Sequence, residues 1–378
     1  MKKVMTVFGT RPEAIKMAPL ILQLQKEEHL EPVVVVTGQH REMLDTVLDT
    51  FQIVPDYDLN IMKQGQTLSD ITAHVLTKLD TVVKEVAPDM ILVHGDTTTT
   101  FVSSLVAFYN KVPVGHVEAG LRTWQKYAPF PEEVNRQMTG VIADVHFAPT
   151  QQAKGNLLKE GKDDETIFVT GNTAIDAMKT TVDASYHSDI IERHKNKRIV
   201  LLTAHRRENI GTPMAHIFSA VRRIADTFDD VVVVYPMHKN EQVRTLAHQY
   251  LSDHSRIVLT EPLDVVDFHN FAQQAHVILT DSGGVQEEAP SLGKPVLVLR
   301  DTTERPEGVA AGTLKVVGTE EVAIFNETYN LLTNSELYTS MATATNPYGD
   351  GFASQRICNC IKYYFGIIND KPCSFNNE

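Results

Sequence analysis

The feature that most constrains the fold is an alternation of short, continuous apolar runs with longer segments of helical periodicity. The first apolar run covers residues 4–8, and similar runs follow at residues 90–93 and 145–148. Such runs are typical of strands buried on both faces, as in a parallel sheet covered by helices. Between them, residues 67–86 place apolar side chains at helical spacing. The sequence therefore predicts an α/β fold built on parallel sheets.

The alternation stops at a polar, charged stretch and then restarts with six further apolar runs. A chain of 378 residues is also too long for one ordinary core. We therefore predict two Rossmann-like, doubly wound domains. The predicted boundaries give, in order, an N-terminal domain, a linker, a C-terminal domain, a C-terminal helix packing back on the first domain, and a disordered tail: residues 1–180, 181–197, 198–352, 353–366 and 367–378.

Composition restricts the class of partner. The net charge of −13 argues against nucleic acid and anionic membranes. No apolar run approaches the roughly 20 residues that span a bilayer, and the N-terminus is too weakly apolar for a signal peptide. Cys358, Cys360 and Cys373 all lie near the C-terminus, a distribution that indicates reduced thiols and not a disulfide frame or a zinc site. We expect a cytoplasmic protein without nucleic-acid or membrane partners.

A glycine pair marks a candidate anion site in the second half. Gly283 and Gly284 follow a buried strand and precede a helix, so backbone N–H groups could approach a phosphate there. A plain tight connection would look the same. Residues 205–208 (HRRE) follow another strand of this half and supply cations suited to a diphosphate. The alternative is a surface ion pair between Arg207 and Glu208.

Three carboxylates form a candidate acid–base set in the first half. Asp96, Glu118 and Glu132 lie near predicted strand ends or loops, where ligands of open α/β sheets bind. Singly, Asp96 could cap a helix, and Glu132 could pair with Arg136 one turn on. Together they could supply a general base and a general acid for proton transfer at carbon. No set of histidines, cysteines and carboxylates has convincing metal spacing.

Seven motifs occur in a fixed order along the chain. They are GTRPEAIK (9–16), GDT (95–97), HVEAGLR (116–122), PEEVNR (131–136), TAHRREN (203–209), DSGGVQEE (281–288) and RDTTERP (300–306). In this order they closely resemble the non-hydrolysing UDP-N-acetylglucosamine 2-epimerases of bacteria. The resemblance covers about residues 3–365, and seven motifs in register make it highly specific.

The resemblance implies a fold like that of the glycosyltransferase B class, with the active site in the interdomain cleft. It implies interconversion of UDP-GlcNAc and UDP-ManNAc by a homodimer, without a metal or nicotinamide cofactor. The family's proposed route expels UDP to give a 2-acetamidoglucal and then adds UDP back. The product would supply a cell-surface polysaccharide, for which teichoic-acid linkage, capsule and common-antigen pathways all fit.

Site residues follow from the resemblance position by position. Asp96, Glu118 and Glu132 resemble the family's acid–base carboxylates and His205 its catalytic histidine, although the carboxylate that takes the C2 proton is not assigned. The positions that resemble substrate-binding residues are Arg11, Lys16, Arg136, Arg206, His238, Ser282, Gly283, Gly284 and Glu288.

Many bacterial members carry a second UDP-GlcNAc site that activates the enzyme. In this chain Gln39, His40 and Gln66 match that site. Glu42 stands where an amide is common and Gly65 where a cation is common, so we expect activation to survive in weakened form.

Three rival functions share parts of this pattern. A glycosyltransferase of the same architecture would need an acceptor surface and one base. A hydrolysing 2-epimerase would release ManNAc and free UDP. A non-catalytic sugar-nucleotide sensor would need no acid–base carboxylates at Asp96 and Glu118.

Overall fold

A computed structural model describes residues 1–38, 41–63 and 65–375, without the side chains of Glu42 and Met43. Contacts within the chain divide it into two compact units. The first contains Met1–Thr180 together with residues 348–375, and the second contains Thr181–Pro347. Each unit is built on its own parallel sheet.

The first unit has a seven-stranded parallel sheet in the order β3-β2-β1-β4-β5-β6-β7. Its strands are β1 (Lys2–Phe8), β2 (Leu30–Val36), β3 (Tyr57–Asp58), β4 (Met90–His94), β5 (Val114–Val117), β6 (Val145–Ala148) and β7 (Ile167–Val169). Its first seven helices are α1 (Arg11–Leu24), α2 (Arg41–Thr50), α3 (Leu68–Val86), α4 (Thr98–Tyr109), α5 (Glu132–Ile142), α6 (Gln151–Lys159) and α7 (Thr173–Thr181).

Helices cover both faces of this sheet, as the continuous apolar strands predict. On one face, Val4 and Phe8 of β1 pack in the same core as α1. On the other, Met5 and Val7 pack with α3 and α4. Since successive side chains of a strand point to opposite faces, a strand between two layers of helices is apolar at nearly every position; Thr6 is the buried polar exception in β1.

The second unit has a six-stranded parallel sheet in the order β10-β9-β8-β11-β12-β13. Its strands are β8 (Arg198–Thr203), β9 (Val231–Pro236), β10 (Ile257–Thr260), β11 (Ala275–Thr280), β12 (Val296–Val298) and β13 (Leu314–Val316). Its helices are α8 (Asp189–Arg193), α9 (Thr212–Thr227), α10 (Glu241–Leu251), α11 (Val265–Gln274), α12 (Gly283–Glu288), α13 (Pro306–Ala310), α14 (Glu321–Thr333) and α15 (Ser335–Ala342).

Both sheets have Rossmann strand order, which confirms the predicted fold class. The order reverses between β1 and β4 in the first unit and between β8 and β11 in the second. Ligands of open α/β sheets bind at such reversal points, beyond the carboxyl ends of the strands. The loops after these four strands are therefore where a site is expected in each unit.

The last helix, α16 (Ala353–Tyr364), belongs to the first unit. Ile357 and Ile361 on its inner face are fully buried in the core that contains α1. Asp176 accepts hydrogen bonds from the backbone N–H groups of Ala353 at 3.1 Å and Ser354 at 2.7 Å. This carboxylate satisfies two of the N–H groups that the start of α16 leaves without helical partners.

The structure differs from three of the predicted bounds. Residues 348–352, predicted to end the C-terminal domain, group with the first unit. The segment 181–197, predicted as a linker, groups with the second unit, where the Tyr186 hydroxyl donates to Asp267 at 2.6 Å. The tail predicted as disordered is ordered up to Phe375, which is 5% exposed and donates its N–H to the Val169 carbonyl at 2.8 Å. In each of the latter two segments an aromatic side chain packs against its unit despite polar neighbours, Phe375 buried and Tyr186 partly buried, and average composition does not reveal this.

In the described parts of the chain, no helix combines the length and the apolar character needed to cross a membrane.

Two glycines of the first unit should respond oppositely to a methyl group. Gly120 has a φ of +93°, and a Cβ there would lie 2.3 Å from the Ala153 carbonyl oxygen. We expect Gly120→Ala to lower the free energy of unfolding by about 2 kcal/mol or more. Gly155, within α6, has no atom within 4 Å of its Cβ position, so Gly155→Ala should raise stability by about 0.5–1 kcal/mol. Urea unfolding followed by circular dichroism measures the stability of both variants, and changes of the same sign would contradict the expected difference between the two positions.

Candidate active site

Polar residues of the first unit follow the strands at its reversal point. Arg11 begins α1 directly after β1, and Asp96 follows β4. Glu118 follows the next strand, β5, with its backbone at a φ of +61°. This conformation is sparsely populated by residues other than glycine, and tight constraints usually maintain it where it occurs.

Three side chains converge on one oxygen of Glu118, whose side chain is 11% exposed. Lys16 of α1 forms an ion pair with Oε2. The Nδ2 of Asn172 donates to the same oxygen at 3.2 Å, and the Nε2 of His94 lies 3.5 Å from it. These partners come from three different elements, so the position of Glu118 depends on the whole carboxyl edge of the sheet.

The partners of Glu118 also decide its charge. Burial by itself would raise the pKa of Glu118, but the Lys16 ammonium and the His94 ring outweigh it and hold the pKa well below its ordinary value. Glu118 is therefore ionised throughout the neutral range.

Asp96 has the opposite tendency. Desolvation raises its pKa, the neighbouring Glu118 and Glu132 carboxylates raise it further, and the Arg136 guanidinium acts against both. Arg136 Nη2 lies 3.3 Å from Asp96 Oδ2, and the Nδ2 of Asn135 donates to the Asp96 carbonyl at 3.0 Å. Two neighbouring carboxyl groups with pKa values pushed apart are the usual arrangement of an acid and a base.

In the second unit, buried Asp281 holds the loop after β8 against the turn after β11. One carboxylate oxygen accepts the N–H of His205 at 2.8 Å, the N–H of Arg206 at 2.9 Å and the side-chain amide of Asn209 at 3.1 Å. The other oxygen lies 3.3 Å from His205 Nδ1. Because Nδ1 faces the carboxylate, the Nε2 side of His205 is the side left for a ligand.

His205 also stacks on His238. The ring centroids are 5.5 Å apart and the planes are tilted by only 16°. Burial and the neighbouring His205 both lower the pKa of His238, so its ring is neutral at pH 7. The pair forms a flat wall beside the loop after β8.

Two guanidinium groups face the glycine turn at the start of α12. Arg206 Nη2 and Arg305 Nη2 each lie 3.7 Å from the point that a Cβ on Gly283 would occupy. Arg305 is oriented by an ion pair with Glu287, which is 2% exposed. Planar guanidinium groups and backbone N–H groups are suited to a phosphate or diphosphate.

The remaining predicted residues surround this turn. Ser282 immediately precedes α12, and a Cβ on Gly284 would lie 3.9 Å from Glu288 Oε1. Glu288 Oε2 lies 3.5 Å from Nε2 of the buried His269, which orients it. Its carboxylate remains suited to accept hydrogen bonds from a hydroxyl pair.

The structure thus pairs Lys16 with Glu118, Asp96 with Arg136, and His205 with His238, and it places Arg206 beside Gly283. Of the residues predicted for a second site, Gln66 accepts the N–H of Lys63 at 3.2 Å. Gln39 and His40 lie outside the described residues.

Sequence reasoning assigned no individual role to five residues that contact these sites or their supports: Glu13 (a buried carboxylate of α1, described below), His94, Asn172, Asp281 and Arg305. Four of them had a usable signal. His94, Asn172 and Asp281 end or follow strands, as Asp96 does, and Glu13 stands at capping-box spacing from Thr10. Arg305 lies in a charged loop with no distinguishing spacing.

The described residues contain no group of three or more His, Cys, Asp and Glu side chains placed to hold a metal ion.

Asp281 should be essential to the stability of the second unit. Asp281→Ala would leave two partly buried backbone N–H groups without their acceptor and remove one of the two acceptors of the buried Asn209 amide, which would keep the Leu299 carbonyl. We expect a loss of about 3 kcal/mol in the free energy of unfolding. Asp301→Ala, at an exposed aspartate, should change it by less than about 0.5 kcal/mol. Denaturant titration of both variants measures the difference, and similar stabilities would contradict the role of Asp281.

Comparison with known proteins covers nearly the whole chain. The sequence model of the UDP-N-acetylglucosamine 2-epimerase family matches residues 22–362. A UDP-N-acetylglucosamine 2-epimerase of Bacillus subtilis is 61% identical over 376 residues, covering 100% of this chain and 99% of the relative.

Solved structures of related proteins match the chain over nearly its whole length. The S. aureus MnaA–UDP structure is 60% identical, with a TM-score of 0.92 and full coverage of both chains. A Neisseria meningitidis UDP-GlcNAc 2-epimerase bound to UDP-GlcNAc is 49% identical, with a TM-score of 0.86, covering 95% of this chain and 99% of that one. These matches confirm the resemblance to the non-hydrolysing bacterial enzymes: the chain belongs to the UDP-N-acetylglucosamine 2-epimerase family, and it is an isomerase.

Proposed function

We propose that this epimerase inverts C2 of UDP-GlcNAc by eliminating UDP to a 2-acetamidoglucal and adding it back to give UDP-ManNAc. The observation that carries the proposal is a pair of neighbouring carboxyl groups in different settings: Glu118 Oε2 contacts Lys16, Asn172 and His94, and Asp96 Oδ2 lies 3.3 Å from Arg136 Nη2. Their surroundings shift the pKa of Glu118 down and that of Asp96 up. Inversion at a carbon bearing hydrogen needs one group to accept a proton and another to deliver one.

The proposed steps balance without an oxidant or reductant. A carboxylate takes the C2 proton, the C–H electron pair becomes the C1=C2 double bond, and the C1–O pair leaves with UDP. In the return step a proton reaches C2 from the other face while a UDP oxygen rebuilds the bond to C1. In the reverse reaction the acid and the base exchange roles.

Ionised Glu118 is the group available to accept the C2 proton, and Asp96 is the group more readily protonated. A carboxylate paired with Lys16 is a weak base. It suffices if cleavage of the C1–O bond runs ahead of proton removal, because positive charge developing at C1 acidifies the C2 proton. Glu132 contributes through its charge, which raises the pKa of Asp96.

The second unit offers what the leaving UDP needs. Arg206, Arg305 and the backbone N–H groups from Ser282 to Gly284 would stabilise the diphosphate, whose negative charge grows as the C1–O bond breaks. His205, fixed by Asp281, would direct Nε2 to the same anion. Glu288 would accept hydrogen bonds from the ribose hydroxyls. The related Neisseria meningitidis enzyme was solved bound to UDP-GlcNAc and the related S. aureus protein with UDP, which supports binding of such a nucleotide by this chain.

A homodimer is part of the proposal. Val134, Met138 and Val141 of α5 are exposed at i, i+4 and i+7, forming an apolar stripe along one side of the helix. Phe108 and Tyr109 at the end of α4, a helix that packs on α5, are also exposed. Apolar surface of this kind supports association with a second copy of the chain.

Several finer expectations remain predictions. They are the activating UDP-GlcNAc site at Gln39, His40 and Gln66, delivery of UDP-ManNAc to a surface polysaccharide, and a cytoplasmic location.

Incubation of UDP-GlcNAc with the pure protein in D₂O, followed by proton NMR, tests the proposed route directly. We expect UDP-ManNAc carrying deuterium at C2, because the proton on the carboxyl group exchanges with solvent. Free ManNAc and UDP would indicate hydrolysis instead. UDP-ManNAc without deuterium would contradict proton removal by an exchangeable group.

Lys16 should set the acid side of the pH profile. Lys16→Met removes the ammonium that holds the Glu118 pKa down, so that pKa rises. Since Glu118 must be ionised, the fall of kcat at low pH should move to higher pH by about one to three units. Lys16→Arg keeps the charge and should leave the acid limb near its wild-type position. An acid limb that is the same in wild type and Lys16→Met would contradict the role given to Glu118.

A further inference from the structure

Glu13 is a buried carboxylate of the first unit to which the proposed reaction gives no role. It lies in the first turn of α1 and is 3% exposed. Its Oε2 accepts hydrogen bonds from the N–H of Gly9 at 3.0 Å, from the N–H of Thr10 at 2.8 Å and from the Thr10 hydroxyl at 2.8 Å. This oxygen therefore fixes the turn between β1 and α1.

The other oxygen reaches a different element. The Thr97 hydroxyl donates to Glu13 Oε1 at 2.6 Å, and the Thr100 hydroxyl lies 3.1 Å from the same atom. Thr100 Oγ1 is also 2.5 Å from the carbonyl oxygen of His94. Glu13 thus ties the start of α1 to the start of α4, across the reversal point of the sheet.

A helix cap does not account for this arrangement. A capping box requires one bond from the glutamate to the N-cap N–H, here that of Thr10. Burying a charged carboxylate is costly unless most of its acceptor sites are used. The remaining acceptor positions of Glu13 join the start of α1 to the start of α4, two segments distant in sequence. Capping a helix does not require such a connection.

Each joined segment carries residues of the proposed acid–base set. Lys16 lies one helical turn after Glu13 and pairs with Glu118. The segment on the other side contains His94, which also faces Glu118, and Asp96, which directly precedes Thr97. The relative position of these groups therefore depends on the bonds to Glu13.

We propose that Glu13 is a positioning residue for epimerisation: its carboxylate fixes Lys16 and the His94–Asp96 segment in the one arrangement that serves proton transfer at C2. The inference rests on the roles proposed above for Glu118 and Asp96. Proton transfer requires hydrogen-bond geometry, and a displacement of about 1 Å can reduce a rate about 100-fold.

Glu13→Gln tests the inference, since glutamine keeps the shape and one acceptor oxygen. Its amide nitrogen would meet hydroxyl groups that now donate to an oxygen, so the link to Thr97 and Thr100 would weaken. We expect kcat to fall by about 10- to 100-fold, with a smaller change in KM and with wild-type affinity for UDP. The acid limb of the kcat–pH profile should move to higher pH as the contact between Lys16 and Glu118 loosens.

Asp144→Asn is a control at an exposed carboxylate of the same unit that also accepts a backbone N–H. Asp144 accepts the N–H of Val114 at 2.8 Å at the start of β5, the end of that strand opposite Glu118. Asp144→Asn should lower the melting temperature and leave the fall of kcat at low pH at its wild-type position. Thr100→Val is a second variant that leaves Glu13 and its bond from Thr97 in place and removes the Thr100 hydroxyl, with its contacts to Glu13 and to the His94 carbonyl. It should shift kcat and the acid limb in the same direction as Glu13→Gln, which keeps the test valid if Glu13→Gln does not fold.

Wild-type kcat and pH profile in folded Glu13→Gln would overturn the inference. If Glu13→Gln does not fold, a kcat and a kcat–pH profile of Thr100→Val that equal those of the wild type would overturn the inference. The inference would also be overturned if Asp144→Asn and Glu13→Gln lost the same stability and the same kcat, because the effect of Glu13 would then be only structural.

Deuterium exchange distinguishes failure of this inference from failure of the reaction scheme. If the wild-type enzyme incorporates no deuterium at C2, the scheme fails; if wild type and Glu13→Gln incorporate it at equal rates, only the role of Glu13 fails.

Discussion

Buried carboxylates at the carboxyl ends of parallel strands organise both units. A carboxylate removed from water must be paired or hydrogen-bonded, so each one fixes the groups around it. Asp281 fixes the loop that carries His205 and Arg206. Glu13 fixes the loop that precedes Arg11, and Glu118 gathers Lys16 and two other side chains. Because each buried carboxylate must be fully paired or hydrogen-bonded, it holds the neighbouring loops and side chains of a site in fixed positions.

Charge is arranged locally against an acidic background. With a net charge of −13, the chain as a whole repels a sugar nucleotide at long range. The cations that would bind it are held in place by carboxylates: Lys16 by Glu118, Arg136 by Asp96, and Arg305 by Glu287. Each pair orders a flexible side chain before a ligand arrives, which lowers the entropy lost on binding.

Carboxyl groups of the same chemical kind have pKa values shifted in opposite directions in this setting. Glu118 has a lysine and a histidine beside it, so its pKa falls despite burial. Desolvation and two neighbouring carboxylates raise the pKa of Asp96, and Arg136 at 3.3 Å only partly opposes them. In the proposed reaction, this difference lets one carboxyl group accept a proton while the other is the more readily protonated.

The sequence by itself determined the class of fold and most of the candidate residues. Continuous apolar runs such as β4 require a strand covered on both faces, and the seven ordered motifs identify the family and the positions of Asp96, Glu118 and Gly283. These are local properties, readable from neighbouring residues. Only the tertiary structure decided that Lys16 meets Glu118 across 102 positions, that Arg305 faces Gly283, and that Tyr186 is anchored within the second unit. Such contacts depend on the order of the strands and on which loops lie next to one another at an edge of the sheet. The spacing of residues along the chain does not determine either.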